Sequence, residues 1–179
     1  CALGMKVSDE RTPRLYLLLQ RTVVDAGQST AGAKQKYQRQ RPFEVADDAT
    51  CVPSDEASLR GNASYPSGHA SVGYVWGEVF AAVVPERASA VRERGLQFGI
   101  SRAVCRLHWQ SDIDSGREVG AAVMLALREK PEFVADLAVA RGEMARAAAA
   151  TGAPPVQDCA GETAALALTR VAPFIADTE

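Results

Sequence analysis

Valines at positions 72, 75, 79 and 83 recur at intervals of three and four, the spacing that lays side chains along one face of an α-helix. Pro66-Ser67 stands just ahead of this run and Pro85 just beyond it, so a helix is predicted to start at Ser67 and to end before Pro85. Upstream, Thr12-Pro13 opens the apolar run Leu15-Tyr16-Leu17-Leu18-Leu19, and a helix is predicted as far as Gly27. Ser29-Thr30 caps a second helix, expected to run to the residue before Pro42. From Phe43 to Tyr65 the pattern is polar and broken by Asp47-Asp48, Pro53 and Gly61-Asn62. A loop is expected there, with one short helical piece around Glu56–Arg60. Downstream, helices are predicted over 87–110, 112–128 and 131–150. Thr151-Gly152-Ala153-Pro154-Pro155 breaks the pattern, and 162–170 reads as a last short helix. The expectation is an all-α protein, a bundle of about seven helices joined by short connections. Residues 1–150 would form its single domain, and 151–179 a C-terminal tail carrying the short helix.

Composition supports this reading. Alanine, the best helix former, is abundant, and 47% of the 179 residues are apolar, enough for a packed core. Twenty basic residues face 22 acidic ones for a net charge of -2, so a nucleic-acid-coating role is not expected. The longest apolar stretch, 72–84, is interrupted by Glu78 and falls short of the ~20 residues that span a bilayer. No charged segment followed by an apolar core marks a signal peptide at Cys1-Ala2-Leu3; the native N-terminus is expected to lie upstream. The four cysteines, Cys1, Cys51, Cys105 and Cys159, include no C-x-x-C pair, which disfavours a zinc or thioredoxin-type site. Their three possible disulfide pairings stay open at this point.

The chemistry concentrates around the chain's two histidines, His69 and His108. In Tyr65-Pro66-Ser67-Gly68-His69, serine supplies a hydroxyl and glycine lets a ligand approach backbone. The segment opens a helix, whose unpaired N–H groups and dipole favour an anion. Ordinary turn chemistry would produce the same residues. In the second cluster His108 and Asp112 are four apart, so on a continuous helix they share a face. A carboxylate on one ring nitrogen fixes the tautomer and leaves the other as base or nucleophile. Asp114, six residues on, is turned by about 600° of helix rotation and lies off that face. Arg102 lies six residues before His108 and must converge through its long side chain. In the third cluster Lys34 and Arg41 are seven apart, roughly on one helical face ended by Pro42, whereas Lys36 and Arg39 read as a solvated basic face. Three cations, a helix N-terminus, an oriented imidazole and a second imidazole as acid together suit phosphoryl transfer without a metal.

These clusters resemble the signature of the type 2 phosphatidic acid phosphatase superfamily: Lys34…Arg41-Pro42, Pro66-Ser67-Gly68-His69 and Ser101-Arg102…His108…Asp112, in that order and spacing. Their flanks, Tyr37-Gln38-Arg39-Gln40-Arg41-Pro42-Phe43 and His108-Trp109-Gln110-Ser111-Asp112, look like the bacterial class A non-specific acid phosphatases. The likeness runs from about Leu3 to Ala150. It implies an all-helical acid phosphatase of the periplasm or a secreted one, often oligomeric, acting on small phosphomonoesters and inhibited by phosphate or vanadate, with no cofactor. By that pattern His108 attacks phosphorus, Asp112 orients it, and His69 protonates the leaving group. Lys34, Arg41, Ser67, Gly68 and Arg102 hold the phosphoryl oxygens. Ala63 and Ala70 depart from the glycine and threonine often found there, which bears on substrate preference. Two other readings remain at this stage. In a vanadate-dependent haloperoxidase His108 would be a metal ligand; in an inactive anion-binding helical module nothing would turn over.

Overall fold

The computed structural model describes residues 1–149 and 158–169. Within them the chain forms α1 (Pro13–Gln28), α2 (Ala31–Tyr37), α3 (Pro42–Ala46), α4 (Glu56–Leu59), α5 (Gly68–Val83), α6 (Ala88–Val104), α7 (Gln110–Arg128), α8 (Pro131–Ala149) and α9 (Cys159–Thr169). Two 3-10 turns, Pro53–Asp55 and Pro85–Arg87, precede α4 and α6. Among the described residues there is no strand, and the fold is all-α, as the periodicity predicts. The predicted break at 151–155, together with Ala150 and Arg170, lies outside the described residues.

Helix α5 is the axis of the bundle and packs against α1, α6, α7 and α8. Its valines 72, 75, 79 and 83 are all buried, together with Leu15, Leu18 and Leu19 of α1, Met124 of α7, and Phe133, Ala140 and Met144 of α8. An apolar stripe at helical spacing thus becomes the core because neighbours surround it on all sides. Close approach to α6 depends on glycine: a Cβ on either Gly73 or Gly95 would run into the other's carbonyl. On the α7 side, a Cβ on Gly116 would strike the carbonyl of Ser67 and lie 2.9 Å from the Cβ of Ala70. The orphan N–H groups at the start of α1 are met from α8, where the buried Glu143 carboxylate accepts from Arg14 N–H at 3.1 Å and Leu15 N–H at 3.0 Å.

The last helix begins at Cys159, three residues ahead of the expectation, and α7 at Gln110, two ahead; the larger departures lie between α2 and α3 and at the end of α6. The second helix stops at Tyr37, where Gln38 turns left-handed (φ 46°), and Pro42 opens α3 instead of closing α2. A proline suits the first turn of a helix as well as the residue after one, so local sequence did not discriminate. The helix expected over 87–110 ends at Val104, and Arg106 adopts φ 57°. No glycine or proline marks this break. It is made by tertiary contacts: the Cys51–Cys105 disulfide, Phe43 N–H donating to the Arg106 carbonyl at 3.1 Å, and Leu107 fully buried. A second disulfide, Cys1–Cys159, ties the start of the chain to α9, which packs on α6. Gly95→Ala should destabilise the protein by about 1–3 kcal/mol through forced separation of α5 and α6, read as a lower midpoint in thermal unfolding.

Candidate active site

Where α6 ends, the chain turns through 105–109 before α7 begins, and His108 sits in this turn, 4% exposed. His108 and Asp112 therefore do not share a continuous helix, contrary to the spacing argument. Asp112 is instead the third residue of α7, and its carboxylate caps the helix. Its Oδ2 accepts from Trp109 N–H at 2.9 Å and lies 3.3 Å from His108 Nδ1. A carboxylate only accepts, so Nδ1 carries the proton and Nε2 keeps a lone pair. Nε2 faces Arg41, whose Nη1 is 3.3 Å away.

The strap 38–41, freed from α2 by the left-handed Gln38, crosses to this turn. Arg41, 3% exposed, donates from Nε to the Asn62 carbonyl at 2.9 Å and from Nη1 to the Leu107 carbonyl at 2.8 Å. Lys34 and Arg41 do meet, although not as two turns of one helix. Lys34 Nζ donates to the Ala63 carbonyl at 2.5 Å and to the Ser64 carbonyl at 3.3 Å. Arg39, read from sequence as solvated, turns inward: its Nη1 donates to Asp112 Oδ1 at 3.0 Å and to Ser111 Oγ at 2.7 Å. Its position in a run of charges concealed it, and no local signal separates it from Lys36.

A cavity of about 410 Å³ is lined by Lys34, Arg41, Gly68, His69, Arg102 and His108, with Thr30 and Asn62 at its wall. Gly68 and His69 form the first turn of α5, where N–H groups have no intrahelical acceptor. A Cβ on Gly68 would find its nearest neighbour, Thr30 Oγ1, 3.7 Å away, so packing does not demand glycine there. Ser67 does not line the cavity. It is fully buried, caps α5 by accepting from Ala70 N–H at 3.2 Å, and retains its hydroxyl proton for donation. Ala70 fills the narrow space against Gly99 and Gly116. Asp112 stands behind His108, outside the cavity lining. Asp114 is exposed and engages Gln110 and Arg117.

The electrostatics are those of an anion receptor. Burial first, then the neighbouring Arg41, lowers the Lys34 ammonium to about 8. Burial likewise lowers both Arg41 and Arg102. The Nε of Arg102 is buried with no hydrogen-bond partner among the described residues, a donor in want of an acceptor. His69 stands exposed at the mouth, yet surrounding protein and then the charges of Arg102, His108, Arg41 and Lys34 push it to about 4. His108 is also lowered to about 4, by burial, against the opposing hydrogen bond to Asp112. Burial alone would raise Asp112; the hydrogen bonds from His108 and Trp109 and the charge of Arg39 outweigh it and hold its pKa below the ordinary value. Among the described residues no three His, Cys, Asp or Glu side chains converge as a metal-holding group.

An all-α bundle with a cationic cavity at the N-terminus of its central helix is the class of protein that fold and site define. The model of the PAP2 superfamily matches residues 15–132, and the chain belongs to that superfamily. It is 42% identical over 143 residues to the non-specific acid phosphatase of Salmonella typhimurium, which covers 79% of this chain and 57% of that protein. It is 38% identical over 146 residues to the non-specific acid phosphatase of Providencia stuartii (81% and 59%) and 32% identical over 154 residues to the acid phosphatase of Zymomonas mobilis (86% and 58%). The chain thus spans a little under three fifths of the length of these relatives.

Arg41→Lys keeps the charge but cannot reach both carbonyls and the imidazole at once. Its expected effect is a loss of about 1–3 kcal/mol from the unpaired carbonyls, measured by denaturant unfolding.

Proposed function

We propose that this chain is an acid phosphatase that hydrolyses small phosphomonoesters through a phosphohistidine. The observation that carries the reading is His108: its Nδ1 is held by a buried carboxylate, and its Nε2 lone pair faces a cavity walled by Lys34, Arg41 and Arg102. In the first step Nε2 attacks phosphorus, the bond to the leaving oxygen breaks, and His69 gives that oxygen a proton. In the second, His69 takes a proton from water, the hydroxide attacks phosphorus, and the N–P bond breaks to release phosphate. Asp112 stabilises the imidazolium character of His108 in between. Lys34, Arg41, Arg102 and the amides of Gly68 and His69 offset the charge on the equatorial oxygens, while Ser67, behind the cavity wall, caps the helix turn that presents those amides. The named activities of the three relatives support this reading. Two disulfides among the described residues suit an oxidising compartment such as the periplasm. No described helix is long and apolar enough to cross a membrane.

The pH dependence follows from proton inventory. In the empty site His69, at about 4, is neutral at pH 5, so the leaving-group proton arrives with the substrate, whose second ionisation lies near pH ~6. Above that pH the pair of His69 and substrate loses the proton, and kcat/KM falls. As pH drops through about 4, His108 protonates, its lone pair is lost, and kcat/KM falls again. A maximum between these limbs is expected with a generic aryl phosphate, in the presence of a chelator. His108→Ala should lower kcat at least ~1,000-fold with the fold intact by circular dichroism. Near-normal turnover by that variant would overturn the nucleophile assignment, and bromide oxidation with vanadate would point to haloperoxidase chemistry.

A further inference from the structure

Arg39 belongs to none of the groups assigned above to phosphate or leaving group, and it does not line the cavity. Its guanidinium is nevertheless the cation paired with Asp112 Oδ1 at 3.0 Å, while the carboxylate itself is fully buried. The group is held by two further contacts: Nη1 also donates to Ser111 Oγ at 2.7 Å, and the guanidinium lies 5.3 Å from the centre of the Trp109 ring, which is itself anchored by Nε1 donating to the Gln40 carbonyl at 2.9 Å. Such a clamp holds the plane of a carboxylate as well as its charge.

We propose that Arg39 is a positioning residue, which turns the Asp112 carboxylate so that Oδ2 accepts the hydrogen bond of His108 Nδ1–H and keeps the Nε2 lone pair aimed into the cavity. The kinetic consequence rests on the phosphohistidine reading; the effect on the imidazole does not. Removing the cation leaves Oδ1 short of a donor in a buried place, so the Asp112–His108 pair takes up a proton more readily. The charges facing that pair, Lys34 and Arg41 from the α2–α3 side, Arg102 from α6 and His69 from α5, all remain in the variants.

The test compares Arg39→Gln, Arg39→Met and Arg39→Lys in the full chain, with thermal unfolding recorded for each. Imidazole nitrogen resonances are followed across pH without substrate, and only two histidines need assigning. In Arg39→Gln and Arg39→Met the His108 midpoint should rise by about one unit, and the Nδ1–H tautomer should lose its dominance. Arg39→Lys, which retains the charge, should restore the midpoint. With aryl phosphate, kcat should fall about 10–100-fold in the first two variants, while KM stays within about threefold because Arg39 does not touch the cavity. The acidic limb should move up with the midpoint. An unmoved midpoint in the neutral variants, or a lysine variant that behaves like them, overturns the proposal. If the unaltered chain fails to hydrolyse aryl phosphate, the phosphatase reading falls, and the titration comparison still decides the role of Arg39.

Discussion

One buried carboxylate holds the site together. Asp112 caps the first turn of α7, meets His108 and Trp109 through Oδ2, and meets Arg39 through Oδ1. Its backbone carbonyl accepts from Ser67 N–H at 2.8 Å. The α5 N-terminus, the α7 N-terminus, the 38–41 strap and the turn bearing His108 are thereby fixed to one residue. Burying an ionised carboxylate is costly unless its oxygens are paired. The same hydrogen bonds that offset that cost set the position of His108, so the local stability of this junction and its chemistry are one arrangement.

The cavity works against the fold in a way the rest of the bundle must offset. Lys34, Arg41 and Arg102 are brought together with no carboxylate among the residues lining the cavity; burial lowers the pKa of each, and a neighbouring cation adds to that at Lys34 and Arg41. Such a site is destabilised when empty and relieved by an anion. Rigidity comes from elsewhere: the interlocked Gly73 and Gly95 at the α5–α6 contact, the valine stripe of α5, and the disulfide that fastens Cys105 beside the turn. A looser scaffold would let the cations separate and solvate individually, which would remove the converging field that favours an anion in the cavity.

How much of this was legible in the sequence follows from whether the cause was local. The α5 core stripe and its Ser67 cap are written in spacing and residue type, and both are found in the structure. Among the described residues, seven helices of seven residues or more match the expected number, with the short α3 unanticipated. Convergence of Lys34 with Arg41 was anticipated for an incorrect reason: the two meet because the helix between them stops at Gln38. The pairing of His108 with Asp112 was also reached through the wrong geometry, since a cap of α7 replaces a shared helical face. In both cases the break is imposed by contacts from distant segments, at residues whose own propensities allow the helix to continue.

Arg39 shows the same limit more sharply. Between Lys36 and Arg41 it reads as one charge in a basic run, and the average such charge is solvated. What sets it apart is a single left-handed residue upstream and a carboxylate 73 positions away. The cations of this segment face different demands: Lys34 and Arg41 look into the cavity, while Arg39 looks at the carboxylate behind His108. A helix running to Arg41 would have placed Lys34 and Arg41 on one side and carried Arg39 around to another. Breaking the helix lets one short strap serve both faces of His108, which is why the break matters more to the chemistry than the helix would have.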